Sequence, residues 1–324
     1  MNIKKRVFSL LSSCYVVGCL FAQNILISTP ATSLVLSAPE KGELKYIYYG
    51  AKLSDRDFQT IGSLDKGKYA AYPVYGLNCP SEVALAVKHN DGNMTLQLEV
   101  VKVESSHQDE ANLTIISLKD KVYPFYVKMF YKAYQDTDII EIWSEISHQE
   151  KKTVVLNQFA SAYLPIRKGD VWLSHLYGAW ANEGRLEEVP LEAGMKVIKN
   201  KDGVRNSHTA HAEVMFSLDG KPRENEGRVI GAALCYSGNY KLRIDTDESD
   251  YHHFFAGINE DNSTYNLKNG EIFRTPELAL TYSDEGLSGS SRNFHRWARL
   301  HKLANGTKSV SYTHLRAHET LSDL

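Results

Sequence analysis

Four groups of side chains in this sequence have types and spacings that chemistry could use. The first is made of histidines, His208-Thr209-Ala210-His211 together with His252-His253. An i, i+3 pair shares a face only on a helix, and adjacent histidines on a strand point to opposite sides. No cysteine or paired carboxylate stands beside them, so we read them as packed or surface histidines and assign no metal ligand. The acidic pairs Glu187-Glu188 and Asp245/Asp247 have the composition of a general acid and base. Carboxylates at loop tips or on solvent-facing strand edges are far commoner, and that is the reading given to them. Sequons at Asn93, Asn112, Asn262 and Asn305 matter only in a eukaryotic secretory route. The fourth group, Leu176-Tyr177-Gly178-Ala179-Trp180-Ala181-Asn182-Glu183, is more specific. Sugar rings stack an apolar face on indole while their hydroxyls seek donors and acceptors, and this segment offers both. Taken alone, Trp180 reads as a core residue, since large aromatics are mostly well buried. No phosphate loop, zinc-protease helix or nucleophile elbow occurs, and no cofactor is expected.

The elements that must position these groups follow a period of two from Ile25 to about Tyr282. Met94, Leu96, Leu98 and Val100 alternate with polar residues, as do Leu242 and Ile244. Phe125, Val127, Met129 and Tyr131 form a second alternating set, and Ile140, Ile142 and Ile146 a third. Half-buried antiparallel strands require this pattern because successive side chains face opposite ways. Turn signals separate the runs: His89-Asn90-Asp91-Gly92-Asn93, Lys201-Asp202-Gly203, Asp219-Gly220-Lys221-Pro222, Ser237-Gly238-Asn239 and Lys268-Asn269-Gly270. No 15-residue amphipathic helix interrupts them. The expectation is all-β, one large sandwich over 24–286. Near Leu287 the period changes. Phe294, Trp297, Ala298 and Leu300 (or His301) share a helical stripe, with Ser288 or Ser290 as N-cap, which predicts a helical linker over 287–308.

The chain of 324 residues is 43% hydrophobic and 23% charged, with 19 Tyr and a formal net charge of −2. This excludes a disordered or collagen-like chain and leaves no basic footprint for nucleic acid. Residues 1–23 read as a signal peptide: Lys4, Lys5 and Arg6 precede an apolar run too short and broken for a membrane span. Two cleavage routes are open. Cleavage near Ala22 or Gln23 gives a soluble exported protein, periplasmic or secreted. Val16-Val17-Gly18-Cys19 resembles a lipobox that would anchor the protein by lipid at Cys19. Cys79 and Cys235 then remain, read as buried thiols. At the other end, Ser309–Leu324 has no apolar stripe or turn logic and resembles adapter-derived artefact sequence. That reading leaves His314, His318 and Glu319 without meaning.

The block Phe273-x-Thr275-Pro276-Glu277-x-x-Leu280-x-Tyr282-Ser283-Asp284-x-Gly286-Leu287-x-Gly289-x-Ser291-Arg292-Asn293-Phe294-His295 resembles the end of the N-terminal domain in α-galactosidases of glycoside hydrolase family 36. Tyr48-Tyr49-Gly50-Ala51-Lys52-Leu53-Ser54-Asp55, Tyr72-Pro73-Val74-Tyr75-Gly76, Gly178-Ala179-Trp180 and Tyr236-Ser237-Gly238-Asn239 agree with it in order. The resemblance spans roughly Leu44 to Lys308. It implies a galactose mutarotase-like β-supersandwich leading by one helix into a (β/α)8 barrel absent from this chain. Family members are retaining hydrolases of terminal α-linked galactose. Their two barrel aspartates must stand only about 5–5.5 Å apart for direct attack on the anomeric carbon. Neither aspartate is in this chain, so no catalytic residue is assigned and the fragment is expected to be inactive. The resemblance further implies α-galactoside oligosaccharides as ligands, the barrel as packing partner, and a homo-oligomer at full length. It assigns Trp180 to the sugar. Asp55, Asp57 and Asp65 are each matches for the family's aspartate in the loop after the Tyr-Tyr-Gly segment, with Asp55 and Asp57 named as substrate-binding. Gly-Ala-Trp is followed here by Ala-Asn-Glu-Gly where relatives more often carry Arg-Glu-Arg, which alters the neighbouring polar contacts. Two other classes compete. One is a free-standing galactoside-binding module without catalysis. The other is a mutarotase-like epimerase, which needs a His and a Glu facing one sugar.

Overall fold

The alternating runs of the sequence become strands, and the turn signals fall between them. The structure, a computed structural model, describes residues 23–303 apart from 65–66, 77–81, 109, 168, 204–208 and 249–250. The leader with Cys19, the tail 309–324, and Asp65, Cys79 and His208 lie outside the described residues. In chain order the elements begin with β1 (Gln23–Ser28), β2 (Thr32–Ala38), β3 (Lys45–Ala51), α1 (Asp55–Leu64) and β4 (Leu85–Lys88). Next come β5 (Leu98–Gln108), β6 (Ala111–Asp120), β7 (Phe125–Tyr134), β8 (Ile140–His148) and β9 (Val154–Arg167). The hairpin β10 (Trp172–Ala179) and β11 (Asn182–Pro190) precedes β12 (Gly194–Lys199), β13 (Ala210–Ser217) and β14 (Val229–Leu234). Then follow β15 (Tyr240–Thr246), β16 (Tyr251–Ile258), β17 (Tyr265–Leu267), β18 (Ile272–Arg274) and β19 (Leu278–Ser283). The chain ends in α2 (Gly286–Trp297) and a π-helical turn, Ala298–Lys302.

Two sheets face each other across one core. The large sheet has ten strands in the order β11-β10-β13-β14-β19-β8-β7-β6-β5, with β18 also on β8. The small sheet has six, β12-β15-β16-β9-β17 with β4 on β9, and β1-β2-β3 forms a third. Phe216 of β13 meets Phe254 of β16 edge to face at 5.1 Å, and Phe159 of β9 meets Phe273 of β18 at 5.0 Å. These aromatic pairs join the sheets into a sandwich. Phe125, Val127, Met129 and Tyr131 are all buried on the inner face of β7, as their alternation predicts. The strand β8 departs from the half-buried expectation. Two of its outward residues are also covered: Trp143 stacks on Phe130 and carries Arg274 above its ring, while Glu141 pairs with Lys302 at 2.6 Å. Met94, at the head of the first alternating run, lies outside the strand and is exposed.

Two further expectations change. The Asp55–Asp57 segment is not a loop but the first turn of α1, with Ser54 at its head. Ser54 Oγ accepts from the Asp57 amide at 3.2 Å and donates to the Asp57 carboxylate at 2.7 Å, a reciprocal cap. At the other end, neither Ser288 nor Ser290 caps α2, which begins earlier, at Gly286. The amides of Gly286, Leu287 and Ser288 donate to the carbonyls of Gly227, Arg223 and Glu224, so the β13–β14 loop supplies the partners a side-chain cap would give. Gly286 has φ +64°, and a Cβ there would stand 2.5 Å from the Arg223 carbonyl, so that seat requires glycine. Of Leu300 and His301, the structure turns His301 inward. The π turn widens the helix end and leaves Leu300 at 45% exposure.

Candidate functional site

The segment around Trp180 forms the tip of the β10–β11 hairpin. Ala179 pairs with Asn182, leaving Trp180 and Ala181 as a two-residue turn with Ala181 at φ 59°. The register slips at Gly178, where a Cβ would sit 2.6 Å from the Asn182 carbonyl, so the bulge exists because that residue has no side chain. The Gly178 amide donates to the Thr209 carbonyl, and the Ala181 amide to the Glu183 carboxylate at 3.0 Å. The turn thrusts the indole outward. Trp180 is 82% exposed, which overturns the core reading of this residue taken alone. Tyr177, itself partly exposed, packs under the Arg185 guanidinium across the hairpin at 5.7 Å. An exposed indole on the same hairpin as a paired tyrosine and arginine can offer a sugar one stacking face and nearby donors.

Asp55 and Asp57 are both exposed on α1. Asp57 and Arg228 act together on the half-buried Tyr48 hydroxyl, which burial pushes up, Arg228 lowers and Asp57 raises again. Arg228 in turn makes a forked ion pair with Asp219, whose carboxyl it holds below the ordinary range. This polar patch borders the turn that follows β13, whereas the Trp180 hairpin borders the residues just before β13. The eight residues of β13 separate the two by roughly 25 Å. One galactose ring cannot touch both from a single copy of the chain, so the structure does not bring Trp180 and Asp57 together.

The remaining groups serve the fold. His253 is buried, bonded to the Tyr163 hydroxyl at 2.7 Å and to Asp247 at 2.9 Å, and its neighbour His252 faces the other way onto Thr246 at 2.7 Å. Glu187 accepts from His175 and Lys196, and Asp245 lies beside the buried Arg243 guanidinium and accepts from the Glu82 amide. Sequence reasoning missed one cluster. Glu110, Asp136 and His301 meet at the helix exit, with His301 Nδ1 3.0 Å from Glu110 and Nε2 3.0 Å from Asp136. The two ring nitrogens point in divergent directions toward different carboxylates, so the three groups form an ion-pair bridge rather than converging on a metal. Spacings of 26 and 165 residues hide it from any motif search. Among the described residues, the carboxyls whose pKa is displaced, Asp91, Glu187, Asp219, Asp261 and Glu271, are all held low by hydrogen bonds or cations. A general acid needs the opposite displacement.

A groove of about 580 Å³ runs between α2 and the outer face of the large sheet, walled by Leu176, Leu186, Met215, Leu287, Phe294 and His295. No helix among the described residues is long and apolar enough to cross a membrane.

Comparison with known proteins gives this geometry its context. Residues 42–268 match the Glycosyl hydrolase family 36 N-terminal domain. Alpha-galactosidase Mel36A of Lactobacillus acidophilus is 27% identical over 299 residues, covering 81% of this chain and 40% of the relative. Alpha-galactosidase AgaA of Geobacillus stearothermophilus is 30% identical over 200 residues, 62% of this chain and 27% of the relative. The structure of an AgaA variant in complex with stachyose superposes with a TM-score of 0.79 at 23% identity, covering 86% of this chain and 43% of that one. The galactosidase domain of the alpha-galactosidase-sucrose kinase AgaSK gives 0.79 at 24% identity over 88% and 44%. The chain therefore spans about two fifths of Mel36A and of these structures, and the shared fold is the large β-sandwich. Because the match takes in more than half of its residues, the chain belongs to the glycosyl hydrolase family 36 N-terminal domain family, whose curated relatives here are α-galactosidases.

Proposed function

We propose that this chain is the N-terminal part of a retaining α-galactosidase that removes terminal α-linked galactose from oligosaccharides, with both catalytic aspartates on a barrel outside it. The observation that carries this reading is the family match over residues 42–268, together with coverage of only 40% of Mel36A. Two features support it. The apolar groove beside α2 fits a surface that the barrel would cover, since exposed apolar area of this kind is costly when left uncovered. The separation of Trp180 from Asp57 fits a homo-oligomer, in which a sugar near one could receive the other from a second copy. Export rests on the leader over residues 1–23, with lipidation at Cys19 as the alternative to release.

An aryl α-galactoside assay tests the reading. The chain alone should release no product above blank, whereas DNA read through the codon for Lys308 should continue into a barrel whose protein hydrolyses the substrate with retention. Turnover by the chain alone would overturn it.

A second reading, a galactoside-binding module without catalysis, is favoured by the 82% exposure of Trp180. Methyl α-galactoside should then change the fluorescence of the chain alone, and Trp180→Ala should abolish that change.

A further inference from the structure

The Trp180 hairpin leaves the sandwich at its open end, where β11 is the edge of the large sheet and β12 the edge of the small one. Along its inner face three cross-strand pairs lead outward: Leu173–Val189, His175–Glu187 and Tyr177–Arg185. The first belongs to the core. The third stacks within the hairpin itself. Among the described residues, the middle pair is the one that makes a polar contact with the opposite sheet. Glu187 Oε2 accepts from His175 Nε2 at 2.5 Å and from Lys196 Nζ of β12 at 3.1 Å. Among the described residues, no hydrogen bond or ion pair of residues 178–186 reaches the small sheet, so this is the outermost polar tie between the layers.

The chemistry of the three groups suits a fixed strut. His175 is buried, and its Nδ1 has no partner, so the bond to Glu187 assigns the ring proton to Nε2. Lys196 balances the carboxylate charge, and a charge-assisted contact on the same oxygen that His175 uses fixes Glu187 from two directions. The remaining cation on that face, Arg185, is engaged with Tyr177. The lever is long. Six residues of extended chain separate Glu187 from Ala181, about 20 Å, so a tilt of about 5° at Glu187 moves the indole by about 2 Å. Displacements of that size change binding and rate severely where a ring must be stacked in register.

We propose that His175, Glu187 and Lys196 are positioning residues that fix the tilt of the β10–β11 hairpin and so set where the Trp180 indole meets a galactoside. The proposal rests on the reading of Trp180 as a sugar contact. Hydrogen exchange on the full chain tests the strut without any ligand. Glu187→Gln and Lys196→Met should each lower the protection of amides 178–186 by about tenfold, with the thermal midpoint lowered only slightly, as the loss of one partly exposed ion pair requires. In the wild type the same loss should develop as pH falls and Glu187 is protonated, and the Glu187→Gln chain should show no such transition. Unchanged protection in both variants would overturn the proposal. Methyl α-galactoside titrated against Trp180→Ala tests the underlying reading separately. If binding survives that substitution while the hairpin amides still respond to Glu187→Gln, the sugar-contact reading falls and the strut is purely structural.

Discussion

Trp180 and Gly178 stand two residues apart and should respond to substitution in opposite ways. Trp180 makes no core contact at 82% exposure, so Trp180→Ala should shift unfolding free energy by less than about 0.5 kcal/mol. Gly178→Ala introduces a methyl 2.6 Å from the Asn182 carbonyl and 2.7 Å from the Glu183 Cα. The turn must move to admit it, at a cost of about 1–3 kcal/mol. Urea unfolding of both variants checks the contrast, and equal effects would mean that the hairpin tip is not held as described. Cys235 offers a second test at this scale. Burial pushes its thiol up to about 11. Its modification at pH 8, followed by mass spectrometry, should be on the order of 100-fold slower than that of a free cysteine.

Among the elements, α2 with its π turn is the one whose hold on the sandwich matters for whatever follows it. Trp297 packs with Tyr134, Ile139 and Ala279 in a small cluster on the outer face of the large sheet, apart from the main core. Lys302 adds an ion pair to the buried Glu141 and lies over the Trp297 ring at 5.2 Å, and His301 bridges Glu110 and Asp136. The helix exit is thus pinned by one indole and two polar ties. Trp297→Ala should cost about 3–5 kcal/mol. Exchange in α2 should rise more than in β6–β8, because the main core does not include the indole. A uniform loss of protection across all strands would instead show that the helix and the sandwich unfold as one unit.

For the whole molecule, the acid response follows from paired carboxylates. Asp261 is held far below the usual range by hydrogen bonds from Lys199 and Lys241, Asp219 by Arg228, and Glu187 by Lys196 and His175. A depressed carboxyl contributes stability that is fully present above its unfolded pKa, about 4, and is lost as pH falls through its lower folded value. The thermal midpoint should therefore be flat across these groups' contribution from pH 7 to about 5, then fall below about 4. Asp261→Asn should flatten that acid limb, since Asp261 joins two lysines between β12 and β15. A midpoint that falls equally steeply in Asp261→Asn would remove Asp261 from the account. The partly exposed pairs are screened by solvent, so salt should weaken this limb as well.

Much of this protein was legible in the order of its residues. Period-two runs and glycine turns specify strands because a pleated chain must sort its side chains between two faces, and the inner faces of β7 and β8 carry the residues so sorted. The long block from Phe273 to His295 marked the family, and Gly178-Ala179-Trp180 agreed with it in order. What sequence periodicity could not convey is what covers an outer face. Glu141 and Trp143 look solvent-facing until Lys302, Phe130 and Arg274 arrive from elsewhere in the chain. The same holds for α2, whose first amides are satisfied by a loop some sixty residues earlier in the chain. Trp180 gave the sharpest divergence: its composition suggested burial, and only a two-residue turn built on Gly178 turned it to solvent. Its separation from Asp57 and its tie to the small sheet through Glu187 depend on which strands become neighbours, a choice made by packing two sheets on one core.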